Sequence, residues 1–122
     1  MYENRSEHPK TEAENVKIKN KNKVIRIKKN ISNVKKDVGE FLGIIKFTSV
    51  GAKSFRKQYK KIIKEDTKIF HEAPSVSKGY LTDMIQELID SKINIEPIFI
   101  SGKWCEIDTM QDLKKAEKIF KN

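Results

Sequence analysis

Apolar residues recur along this chain in two rhythms, and the switches between them mark out the elements. Val16 and Ile18, then Val24, Ile25 and Ile27, form two short β-rich runs around the polar Lys19-Asn20-Lys21-Asn22, which predicts a hairpin. Phe41-Leu42-Gly43-Ile44-Ile45-Lys46-Phe47 is almost unbroken in apolar side chains and predicts a central strand buried on both faces. Phe55, Tyr59, Ile62 and Ile63 then fall at helical spacing among lysines, with Thr48 or Ser49 placed to cap. Leu81, Met84, Ile85, Leu88 and Ile89 follow the i, i+3, i+4 pattern of an amphipathic helix, with Pro74 and Ser75 near its start. Ile93, Ile95, Ile98, Phe99 and Ile100 predict a strand interrupted by Pro97, and Trp104 to Ile107 a further strand after Gly102. Thr109, with Asp112 three residues on, opens a last helix in a capping-box pattern, and Leu113, Ala116 and Phe120 would face inward.

The predicted order is β-β-β-α-α-β-β-α. Alternation of buried strands with amphipathic helices indicates an α/β fold, a mixed sheet flanked by helices. Met1 to Asn15 is polar, contains Pro9 and follows neither rhythm, so it reads as a disordered or extended leader before one folded domain over 16–122. A chain of 122 residues, 37% hydrophobic and 35% charged, suits a single core under a charged surface.

The net charge of +9 draws attention to anionic partners, yet only Arg5, Arg26 and Arg56 of the 26 basic residues are arginines. Lysine lacks the planar fork that reads base edges, and lysines spread along the whole chain read as a compositional bias of the source. Nucleic acid is therefore not the expected partner. Lysine-rich helix faces, such as Lys57, Lys60, Lys61 and Lys64, read as solvated surfaces, and His8 and His71 as surface residues too far apart to share a metal. Cys105 is the single cysteine, so no internal disulfide forms; alternating with Trp104 and Glu106, it reads as a small core hydrophobe. No apolar run approaches the roughly 20 residues that cross a bilayer, so a cytoplasmic protein is expected.

Glu106 and Asp108 lie two apart, so on a strand both carboxylates project from one face just ahead of a helix. Mg²⁺ takes one or two carboxylates, with waters and substrate phosphates completing its shell, so this pair suits part of a nucleotide-metal site. Spacing alone leaves another reading open, in which Asp108 helps cap the helix and Glu106 is an ordinary surface residue. Trp104 could stack on a substrate or simply pack against Leu113.

The string GKWCEIDTMQDLKKAEKIF resembles the C-terminal signature of nucleotidyltransferases of the GT-A-like fold, in which such a strand leads into a helix opening Asp-Leu. VIRIKKNI followed by GEFLGIIKF is similar to the segment of phosphocholine and phosphonate-related cytidylyltransferases where a hairpin ends in a lysine before a Gly-Glu-Phe strand. GYLTDMIQELIDSKINIEPIFI resembles that family's next helix and strand. The resemblance runs from about Val16 to the C-terminus and implies a partial nucleotide-diphospho-sugar transferase fold. It implies Mg²⁺ held by Asp108 and Glu106, a catalytic role for Lys29, and Tyr80 and Asp83 on the substrate side, where a stacking Trp104 would join them. The implied reaction transfers a nucleotidyl group, CMP from CTP, to a small phosphorylated acceptor such as phosphocholine or a phosphonate, with a sugar 1-phosphate as the close alternative.

That family opens with a glycine-rich phosphate loop and carries a further metal-binding aspartate midway. Here Gly39, Gly43, Gly51, Gly79 and Gly102 are scattered, with no Gly-x-Gly cluster. The expectation is therefore a C-terminal portion, inactive by itself, that pairs with a complementary N-terminal half or with a second copy. The alternatives are a catalytically inactive structural or partner-binding module and a basic nucleic-acid domain.

Overall fold

The computed structural model describes residues 13–29, 31, 37–64 and 69–121. Its chain order is β1 (Glu14–Lys19), β2 (Lys23–Lys29), β3 (Val38–Glu40), α1 (Ser49–Ile62), α2 (Leu81–Asp90) and α3 (Met110–Phe120). A short 3₁₀ turn, Val76–Lys78, precedes α2.

β1 and β2 form the predicted hairpin. Its turn, closed by the Asn22 N–H on the Lys19 carbonyl at 3.2 Å, carries positive φ at Asn20 and Lys21. That is the backbone hand that matches the twist of the flanking strands. Val16 pairs with Ile27 and Ile18 with Val24, and all four are buried, so the inner face of the hairpin is apolar. On the outer face Lys17 lies opposite Arg26 and Lys19 opposite Lys23, like charges facing each other in solvent.

The sheet is antiparallel throughout, in the order β2-β1-β3, and not mixed as predicted. The stretch Phe41–Phe47 is not a central strand. The pairing with β1 runs through Val38–Glu40 and ends with the Phe41 N–H on the Glu14 carbonyl at 2.9 Å. Gly43 then takes φ +74, a left-handed conformation that carries the chain off the line of the sheet. Phe41 and Ile45 still pack on the core, while Ile44 is 74% exposed. The apolar run thus contributes side chains to the core without contributing a strand.

The predicted strands at Ile95–Ile100 and Trp104–Ile107 are also irregular chain. The outer edge of β2, which the first of these segments meets, is bonded largely by side chains: the Ile27 N–H donates to Gln86 Oε1 and the Lys29 N–H to Glu72 Oε2, each at 2.9 Å. The Val24 N–H reaches the first segment, donating to the Ile95 carbonyl at 2.8 Å, and Pro97 supplies no donor of its own. The strand begins at Glu14, so the last two residues of the expected leader belong to β1; residues 1–12 lie outside the described residues.

All three helices form where periodicity placed them. Thr48 caps α1 by accepting from the Gly51 N–H at 3.0 Å, and Thr109 and Asp112 close the capping box of α3. Of the residues expected inward on α3, Ala116 is buried, but Leu113 and Phe120 are 38% and 50% exposed. Cys105 is half-buried.

The core lies on both flanks of α2. Ile85 and Ile89 pack on Val16, Ile18, Val24 and Ile27 of the hairpin. Met84 and Leu88 pack with Ile62, Phe55 and Phe70 toward α1 and the loop before α2. Leu88→Ala should therefore cost about 2–5 kcal/mol, since it opens a cavity where the two layers meet. Leu113→Ala, on an exposed face, should stay within about 0.5 kcal/mol of the parent in the same urea titration. Equal losses would show that α3 is packed as firmly as α2.

Candidate functional site

β2 ends at Lys29, opposite Glu14 at the start of β1, and the two side chains reach Tyr80 and Thr82 at the N-terminus of α2. The Lys29 ammonium lies 5.4 Å from the centre of the Tyr80 ring, within cation–π range. Tyr80 is the N-cap residue of α2 and is 64% exposed, so the lysine and the ring form an accessible corner.

Asp83 builds the floor of this corner. It is 4% exposed, and both its oxygens are used: Oδ2 accepts the Tyr80 N–H at 2.8 Å and Oδ1 the Glu72 N–H at 3.0 Å. The first bond satisfies an N–H that the helix start leaves unpaired, and the negative charge sits favourably at the positive end of the helix dipole. The second ties the loop before α2 to the helix. Glu72 in turn accepts the Lys29 N–H, and Thr82 Oγ1 donates to Glu14 Oε1 at 2.9 Å. Lys29, Tyr80 and Asp83 thus come together, with Tyr80 and Lys29 presented outward and Asp83 holding the frame beneath them.

The loop is fixed from behind as well. Phe70 and Ala73 exchange two backbone hydrogen bonds of 2.9 Å around His71 and Glu72, with His71 at φ +52. His71 Nε2 contacts Glu87 Oε2 at 2.9 Å, and Gln58 of α1 donates to the other Glu87 oxygen at 2.6 Å. Gly79 passes so close to the Phe70 ring that a Cβ would lie 2.9 Å from its Cδ1, so only glycine fits before Tyr80.

The other expected residues lie on the segment leading into α3. Trp104 is half-buried; Glu106 and Asp108 are exposed, and Asp108 immediately precedes the N-cap residue Thr109. Capping is carried by Thr109, whose Oγ1 accepts the Asp112 N–H at 3.2 Å while Asp112 Oδ2 accepts the Thr109 N–H at 3.1 Å. Among the described residues no group of three or more His, Cys, Asp or Glu side chains gathers around a metal position. A cation at Glu106 and Asp108 would depend on two carboxylates, with substrate phosphates and water completing its shell. An open groove of about 460 Å³ lies at the opposite end of the hairpin, lined by Ile18, Lys21, Asp37, Val38, Gly39 and Phe99, and contains none of the expected site residues.

Over 75 residues the chain is 29% identical to the CTP:phosphoglutamine cytidylyltransferase of Campylobacter jejuni subsp. jejuni serotype O:2. The likeness is to a cytidylyltransferase. The matched stretch covers 62% of this chain and 28% of that protein's length. No family model and no solved structure matches. No described helix is long and apolar enough to cross a membrane.

Glu72, Glu14 and Gln86 were not legible in the sequence, because each acts through a contact between segments distant along the chain. His71 was expected at the surface, but it is half-buried between the loop and α2. Asp83→Ala should destabilise by about 1–3 kcal/mol, since it strips the acceptor from two backbone N–H groups. Asp83→Asn, which keeps one oxygen acceptor, should lose less. Equal melting temperatures for Asp83→Ala and the parent would contradict this assignment.

Proposed function

We propose that this chain forms part of a cytidylyltransferase that transfers CMP from CTP to a small phosphorylated acceptor. The likeness to the C. jejuni cytidylyltransferase carries the reading, and the Lys29–Tyr80 corner supports it. In the proposed reaction an acceptor phosphate oxygen attacks the α-phosphorus of CTP. The bond to the bridging oxygen breaks, and pyrophosphate departs with the electron pair.

Little covalent chemistry falls to the protein in such a step; its work is to position reactants and stabilise charge. Lys29 would place a cation beside phosphate oxygens at the end of a strand whose geometry is fixed on both sides. Tyr80 offers an exposed ring against the acceptor's organic part, and Trp104 a second, half-buried one. Asp83 serves both groups by holding the helix start. Glu106 and Asp108 have the oxygen donors that Mg²⁺ requires, and bound Mg²⁺ would neutralise charge on the triphosphate.

The test is pyrophosphate release from CTP and Mg²⁺ by the protein that carries this chain, with phosphoglutamine, phosphocholine and a sugar 1-phosphate as acceptors. Release is expected with at least one acceptor. Asp108→Asn should slow it by on the order of 10²-fold, about 3 kcal/mol, with the melting temperature unchanged. An undiminished rate would remove Asp108 from the metal site. No CTP-dependent release with any acceptor would favour a partner-binding module.

A further inference from the structure

The last residue of β2 stands at a free sheet edge. In the order β2-β1-β3 no strand among the described residues flanks β2 on its outer side, so the N–H groups of Val24, Ile27 and Lys29 need acceptors from elsewhere. A carbonyl on the segment after α2 serves Val24, and a side chain of α2 itself serves Ile27. Lys29 is served from a third place, the carboxylate of Glu72 in the loop before α2, 43 residues away in sequence.

We infer that Glu72 is a positioning residue for Lys29: its carboxylate completes the edge of β2 and so sets where the lysine side chain leaves the sheet toward Tyr80. The role rests on the reading of Lys29 as the phosphate-facing cation. Glu72 is itself held at two points. Its N–H is bound to Asp83, and the adjacent His71 is bound to Glu87, which Gln58 of α1 fixes in turn. Asp83 also holds the N–H of Tyr80, so one carboxylate sets the ring while its neighbour Glu72 sets the cation above it. The arrangement runs from α1 through α2 and the Phe70–Ala73 turn to the end of β2. Glu72 touches no reacting atom; it acts through Lys29.

The experiment compares Glu72→Ala, Glu72→Gln and His71→Ala in the protein that carries this chain. Hydrogen exchange is read at the Lys29 amide, with the Ile27 and Val24 amides of the same strand as internal references. Glu72→Ala should speed exchange at Lys29 by about tenfold and leave the two references unchanged, because only the last edge bond is lost. Glu72→Gln, which keeps an oxygen acceptor, should restore most of the protection, and His71→Ala should speed exchange at Lys29 by a smaller factor. In turnover, Glu72→Ala should lower kcat about tenfold with KM for CTP nearly unchanged, as expected for a misplaced cation. In a Lys29→Ala background it should add nothing further. Unchanged exchange at Lys29 in Glu72→Ala, or an undiminished effect of Glu72→Ala without Lys29, overturns the positioning role. If Lys29 exchange responds as stated while Lys29→Ala turns over normally, the positioning contact stands and the catalytic reading of Lys29 falls.

Discussion

Everything in this fold depends on α2 finding apolar partners on two flanks at once. Ile85 and Ile89 close the inner face of the hairpin, and Met84 and Leu88 close the space toward α1 and Phe70. Ile95, just beyond the helix, packs against both clusters. A hairpin alone is marginal in water, and α1 alone buries little beyond Ile62, so neither layer holds without the helix between them. The burial is non-directional, and it fixes that the elements meet more than how they are oriented.

Orientation comes from the polar residues of the same helix. Asp83, Gln86 and Glu87 each bond to a different neighbour: the loop before α2, the edge of β2, and the pair His71 and Gln58. These bonds are partly buried, so a lost acceptor would leave a donor poorly solvated, which gives them more leverage than an equivalent surface contact. Together they close the edge of β2 and hold the helix start, and the corner of Lys29 and Tyr80 follows. The Lys29–Tyr80 corner and the core therefore share one helix, whose apolar positions join the two clusters and whose polar positions fix how its neighbours are oriented.

The elements governed by local rules were legible in the sequence. The hairpin, the three helices and the Thr48 and Thr109 caps follow from periodicity and capping chemistry, and all are present. The elements that need a neighbour were not. Phe41–Phe47 and Ile95–Ile100 have the composition of strands, but a strand exists only where an edge is open, and side chains of Gln86 and Glu72 occupy most of the edge that the second segment would need. The same limit applies to the site. Spacing marked Glu106 and Asp108, resemblance to a family added Lys29, Tyr80 and Asp83, and the fold gathers those last three at one corner. Glu72, an exposed glutamate in a loop, carries no local signal of its contact with Lys29.

On the proposed reading, the corner of Lys29 and Tyr80 and the pair Glu106 and Asp108 would serve one nucleotide. The most direct measurement is a titration of CTP with Mg²⁺ into the protein that carries this chain, following by NMR the amides of Lys29, Tyr80, Glu106 and Asp108. All four should shift along one saturation curve, and the shifts at Glu106 and Asp108 should shrink when Mg²⁺ is withheld. Signals at Glu106 and Asp108 that stay fixed while Lys29 responds, or an unchanged spectrum at saturating CTP, would contradict it.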